Sequence, residues 1–211
     1  MTGTWTPDPA LQAALDATLP TLPRGYPAAL VRMLGQCGWT RHAVGGTRLA
    51  LLNPSHPGVL LKLAYRPSGR LGNAQEARHW QDLLTHARLS GQAHPQQALL
   101  FPVLWVSPGD WLLAQPAADL TLQDARTSGE LSRQDAETLL ADLYAHGLSD
   151  VVPRNIGRLA GQWRQFDYGD APRWAHRETP ERAPASAVPG PRTPSCSAAP
   201  ERGPTTDPEQ T

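Results

Sequence analysis

A chain of 211 residues with 40% hydrophobic content can bury a core, while its 22 Pro and 18 Gly point to one folded domain joined to a segment that does not fold. The formal net charge is zero, with 14 basic and 14 acidic residues up to Asp170 and 5 of each beyond it, which argues against an electrostatic nucleic-acid binder. Two cysteines, Cys37 and Cys196, are too few for a disulfide framework or a zinc site. Met1 to Pro9 lacks a secretory signal, and the longest apolar run, Leu99 to Val106, is broken by Pro102 and too short for a bilayer, so a cytoplasmic protein without membrane partners is expected.

In chain order, Asp8-Pro9 followed by Leu11, Leu15 and Leu19 predicts a capped amphipathic helix, and a second helix is expected over Tyr26 to Gln36. Thr40 to Val44, Thr47 to Asn53 and Gly58 to Ala64 read as three strands of an antiparallel meander, turned at Gly45-Gly46 and at Asn53-Pro-Ser-His-Pro-Gly58. Asn73 caps a predicted helix to Leu89, in which Ala77, Trp80, Leu83, Leu84 and Ala87 recur at helical spacing. Leu99 to Trp105 and Trp111 to Gln115 are expected to complete a five-stranded sheet. After a hinge-like Pro116 to Asp119, a short helix begins near Thr121. A second runs from the Ser132/Asp135 capping box to Ala145 with Leu139, Leu140 and Leu143 on its apolar face, and a hairpin of Ile156 to Leu159 with Gln162 to Phe166 follows. Beyond Asp170, 41 residues hold 9 Pro and neither Leu nor Ile; this Pro-rich tail cannot bury enough apolar surface to offset its ordering entropy and is expected to be disordered.

One residue stands apart in composition. Of 19 basic residues 18 are arginine and one is lysine, Lys62, set in the apolar run Gly58-Val-Leu-Leu-Lys-Leu-Ala64, where an unpartnered charge is costly to bury. A strand-face lysine commonly snorkels to solvent, but arginine would serve there as well, so a specific role is the preferred reading. Glu76 is the one acidic residue between Asp16 and Asp82. Downstream, Asp150-Val-Val-Pro-Arg-Asn155 is followed by Asp167-Tyr168-Gly169.

With the lysine strand, these motifs resemble the catalytic and magnesium-binding loops of the protein kinase-like superfamily over roughly residues 39 to 170, with Tyr168 in the place of a Phe. The resemblance implies an α+β, two-lobed fold, with an antiparallel first lobe over 39–116 and a minimal helical second lobe over 117–170; the helical extension over 1–38 and the tail over 171–211 flank it. It also implies that ATP and Mg²⁺ are bound: Lys62 contacts phosphate and pairs with Glu76, Asp167 and Asn155 hold the metal, and Asp150 is the catalytic base.

Gly45-Gly46 is the candidate loop over the phosphates or simply a hairpin turn. His146, separated from Asp150 by three residues, buttresses the loop or ends a helix, and Arg154 contacts phosphate or lies on the surface. An eukaryotic-type activation segment and peptide-binding floor have no counterpart after Gly169. The expected function is therefore ATP-dependent phosphotransfer to a small molecule or an atypical protein, with a nucleotide-binding pseudokinase or regulatory interaction module as the alternative; the phosphoryl acceptor is not written in the sequence.

Overall fold

The computed structural model describes residues 5–22 and 25–168. They form an α+β arrangement built on an antiparallel five-stranded sheet, ordered β1-β2-β3-β5-β4, and a second sheet of three short strands, β6-β7-β8. Gly169, Asp170 and the tail expected over 171–211 lie outside the described residues.

Helix α1 (Pro9–Thr18) begins as its sequence dictates: the Asp8 carboxylate accepts the Leu11 N–H at 2.8 Å and Pro9 occupies the first turn. Helix α2 (Ala28–Gln36) starts two residues later than expected, because Pro27 pushes Tyr26 out of the helical region. Gly38, at φ 84°, ends it in the left-handed conformation that lets the Trp39 N–H reach the Leu34 carbonyl at 3.0 Å.

Strands β1 (Thr40–Val44), β2 (Arg48–Leu52) and β3 (Val59–Ala64) form the meander. Strand β5 (Leu112–Pro116) pairs with β3, and β4 (Trp105–Val106) lies at the far edge. The register places Leu49 opposite Leu63, Leu51 opposite Leu61 and Leu61 opposite Ala114, so these residues share one face of the sheet. That face packs on Leu11, Leu15, Leu30 and Leu34 of α1 and α2 and makes the first core. By the same two-residue alternation Arg48, Lys62 and Gln115 point to the opposite face, which α3 (Pro67–Ser90) covers.

Two expectations are corrected here. Helix α3 starts six residues before Asn73, so Asn73 is not its cap but a fully buried side chain in its interior. The strand expected over Leu99 to Trp105 is mostly an irregular extended segment after a 3₁₀ turn at Pro95–Ala98; Pro102 has no N–H to give to a ladder, and only the last residue joins β4. Leu100 and Phe101 are nevertheless wholly buried, because this segment crosses to the second sheet: the Phe101 N–H donates to the Gln165 carbonyl at 2.9 Å, and the Gln165 N–H to the Leu99 carbonyl at 2.8 Å.

After β5, residues 117–119 lead into β6 (Leu120–Thr121), which pairs with the hairpin β7 (Ile156–Leu159) and β8 (Gln162–Gln165). Between them run α4 (Leu122–Ser128) and α5 (Arg133–Ala145), started by the hydroxyls of Thr121 and Ser132, which accept the N–H groups of Asp124 and Asp135. Leu122, Ala136, Leu143, Leu148, Ile156 and Tyr168 form a second core together with Trp80 and Leu83 of α3. Helix α3 thus lies over the polar face of the five-stranded sheet and also supplies apolar side chains to the second core. No helix among the described residues is long and apolar enough to cross a membrane.

Candidate functional site

The polar face of the five-stranded sheet and the two loops around the hairpin β7–β8 meet at a cleft of about 550 Å³. Lys62, Arg48 and Gln115 reach it from β3, β2 and β5, and Asp150, Asn155 and Asp167 from the loops. Every residue singled out as a catalytic or metal-holding candidate lines this cleft, as do Gly45 and Gly46, while Glu76 is buried behind it.

The Lys62 ammonium lies 2.7 Å from Glu76 Oε2 and also donates to the Phe166 carbonyl, one residue before Asp167. Lys62 is 5% exposed and Glu76 fully buried, so the lysine does not snorkel to solvent. Burial pushes the Lys62 ammonium down from its ordinary value, and Glu76 opposes that shift. The Gln115 amide donates a third hydrogen bond to Glu76, at 3.1 Å. A buried carboxylate on α3 thus fixes the lysine, the pairing that the resemblance implies.

A second cation enters the same cluster. Arg48 Nη1 contacts Glu76 Oε1 at 2.5 Å and Asn73 Oδ1 at 3.3 Å, and Nη2 donates to Asp167 Oδ1. Glu76 therefore holds Lys62 with one oxygen and Arg48 with the other, and two cations balance two anions in a largely dehydrated space. Burial works against the Arg48 charge, but Glu76 and Asp167 outweigh it and hold the guanidinium more firmly protonated than usual. Burial likewise favours the neutral acid at Asp167, yet the charges of Lys62 and Arg48 keep its carboxyl below the usual carboxylate range.

Arg48 has a path made for it. A Cβ added at Gly69 would stand 2.4 Å from the Thr47 carbonyl oxygen and 3.1 Å from Arg48 Cγ, and one at Gly72 would stand 3.3 Å from Arg48 Nη1. These two glycines, one helical turn apart on α3, let the helix lie close over β2 and the arginine pass beneath it. Each costs a helix interior about 1 kcal/mol relative to alanine. The closeness of helix and strand here offsets that cost.

Across the cleft, Asp150 sits at φ 50°, a left-handed conformation that few residues other than glycine and Asn or Asp adopt readily. Its side chain is exposed. Asn155 holds it there: the Asn155 amide donates to Asp150 Oδ2 at 2.7 Å and to the Asp150 carbonyl at 3.2 Å. Gln165, fully buried, ties this loop to the next by donating to the carbonyls of Ser149 at 2.6 Å and Asp167 at 2.8 Å. Tyr168 anchors the end of the second loop in the second core, its hydroxyl donating to the Phe101 carbonyl at 2.9 Å.

Gly45 is part of a hairpin turn, its N–H donating to the Arg48 carbonyl at 2.9 Å, and that turn also forms an edge of the cleft. His146 turns back on its own helix, with Nδ1 2.8 Å from the Asp142 carbonyl. Arg154 is exposed and lines the cleft.

Sequence reading missed Arg48, Asn73, Gln115 and Gln165. An arginine among 18 carries no compositional signal, and the trace of Arg48 in the sequence is the Gly69/Gly72 pair, which reads as loop until the helix is seen to include it.

For Mg²⁺ the fit is poor while Arg48 stays in place. Asp167 and Asn155 are hard oxygen donors of the right kind, yet one Asp167 oxygen is taken by a guanidinium that supplies the positive charge locally. Among the described residues no three His, Cys, Asp or Glu side chains converge as a metal site. No protein-family model matches this chain, and no curated protein matches it.

Proposed function

We propose that the chain is a small protein kinase-like phosphotransferase, with a two-lobed arrangement, that binds ATP in this cleft and passes phosphate to a small molecule or an atypical protein. The observation that carries the reading is the buried Lys62–Glu76 pair at 2.7 Å, set in the wall of a cleft whose other side presents Asp150 and Asn155. Phosphoryl transfer asks for positioning and neutralisation of charge. Lys62 meets phosphate oxygens, and the exposed Asp150 carboxylate takes the proton of an acceptor hydroxyl as its oxygen forms the new bond to the terminal phosphorus and the bond to the bridging oxygen breaks. A magnesium ion held by Asp167 and Asn155 would add neutralising charge once Arg48 had released Asp167.

The Arg48–Asp167 bridge favours a second reading, a nucleotide-binding pseudokinase or regulatory module without catalysis. Thermal-shift titration of the full chain with ATP tests what the two readings share: ATP raises the melting temperature of wild type and much less that of Lys62→Met. Asp150→Ala separates them. In the enzyme it binds ATP almost normally and loses about 10²–10⁴ in the rate of phosphotransfer or slow ATP hydrolysis. Wild type and Asp150→Ala that bind ATP and are equally inert across a broad acceptor panel select the second reading. Absence of ATP binding sinks both.

A further inference from the structure

Arg48 holds a place in the cleft that the motif residues do not account for. A cation that merely lined the cleft would need neither Asp167 as a partner nor two glycines on α3 to admit it. Its guanidinium is planar, permanently charged and forked, which suits it to bridge two carboxylates and still face phosphate oxygens. Nη1 spends its hydrogens on Glu76 and Asn73, and Nη2 spends one on Asp167, leaving two of the five arginine N–H groups. Lys62 spends two of its three, on Glu76 and the Phe166 carbonyl. Two adjacent cations with unspent donors therefore stand at one side of the cleft, both among its lining residues.

We propose that the cleft binds the phosphate chain of a nucleoside triphosphate without a divalent cation, Arg48 and Lys62 together supplying the positive charge. The proposal rests on the nucleotide-binding reading and adds the ionic form of the ligand. A divalent ion on Asp167 would be pressed against the guanidinium that already bridges Asp167 to Glu76, whereas a metal-free polyphosphate meets attraction from both cations. Asp167 then serves as the anchor that aims Arg48, a positioning role rather than a metal-ligating one. Asn155 keeps the role it has, holding the Asp150 loop.

The test is equilibrium binding of ATP to the full chain, read by calorimetry in EDTA and again in excess MgCl₂, for wild type, Arg48→Gln and Asp167→Asn. Wild type is expected to bind in EDTA at least as tightly as in magnesium. Arg48→Gln should lose about tenfold or more of the EDTA affinity, the effect of one charge-assisted hydrogen bond. Asp167→Asn, which loosens the anchor of Arg48 but leaves the guanidinium in the cleft, should weaken ATP binding to a similar degree in EDTA and in magnesium, and that independence of the metal decides the matter if Arg48→Gln does not fold. Wild-type binding that needs magnesium and is abolished by Asp167→Asn would overturn the proposal while leaving the nucleotide cleft intact. Unchanged EDTA affinity in a folded Arg48→Gln would overturn it too. No ATP binding in either buffer takes down this proposal and the nucleotide reading together.

Discussion

The two cores are built on opposite principles. Around the five-stranded sheet, one face is almost entirely aliphatic against α1 and α2, while the other carries Arg48, Lys62 and Gln115 beneath α3. The second core has two-residue β6, two modest helices and a short hairpin, and it takes Trp80 and Leu83 from α3 and Leu100 from the crossing segment to complete itself. The first core thus positions charge by sheet register, and the second positions two loops by borrowing apolar surface from the helix that carries Glu76. A helix shared in this way couples the carboxylate behind the cleft to the packing of the loops in front of it. The two sides of the cleft should fold and fail together.

The largest effect expected is from Glu76→Ala, which leaves Arg48 and Lys62 buried without their common counter-charge and should cost about 5 kcal/mol, the upper end for a broken buried pair. Denaturant unfolding measures it; a loss below 1 kcal/mol would mean that the cluster is wetter than its geometry. Trp80→Ala, in the second core, should cost about 4 kcal/mol, with one cooperative transition reported alike by sheet and helix probes. Two separate transitions would break the coupling argument and make the second core an independent unit.

Gly69→Ala drives a methyl group against the Thr47 carbonyl and should cost about 1–3 kcal/mol, whereas Gly91→Ala, where no neighbour is near but φ is 70°, reports backbone strain alone. Equal stability of Gly69→Ala and wild type would show that α3 can lift from β2 and that Arg48 is not tightly seated.

Acid should weaken the bridge across the cleft. The folded carboxyl of Asp167 titrates below its unfolded value of about 3.9, so its contribution is complete above that pH and is lost as pH falls through the folded value. Melting temperatures of wild type and Asp167→Asn measured from pH 6 to pH 2 should therefore converge on acidification. Parallel curves would break the claim. The carboxylate is 38% exposed, so solvent screening keeps this effect modest. The smallest change expected is Asp8→Ala, about 1 kcal/mol for a lost helix cap in the first core, with ATP binding unaffected.

Local chemistry was legible where it needed no distant partner. Asp8 and Ser132 cap helices as read because a short polar side chain can reach the next turn's N–H groups, and the Gly-rich and Pro-rich turns closed the meander as read. Lys62 with Glu76 was legible through the resemblance, which supplied the pairing, and through composition, which left a lone lysine in an apolar strand and one acidic residue between Asp16 and Asp82. The start of α3 was misread because Gly69 and Gly72 are poor helix formers, offset here by their close approach to β2, while Pro67 sits at the first helical position, where proline is tolerated. The long strand through Pro102 was misread because its apolar residues do become buried, though by crossing between sheets rather than by pairing in one.

By itself, then, the sequence determined the caps at Asp8 and Ser132, the turns and strands of the meander and, through its resemblance, Lys62, Glu76, Asp150, Asn155 and Asp167 as the candidate residues, which the fold gathers at and just behind one cleft. Tertiary structure decided that Arg48, drawn from 119 residues away in sequence, would neutralise Asp167, and that Gly69 and Gly72 would make room for it. The physical reason is range. Capping and alternation are set within a turn or two of the chain, while the pairing of a buried charge depends on which carboxylates the folded backbone brings within a few ångströms.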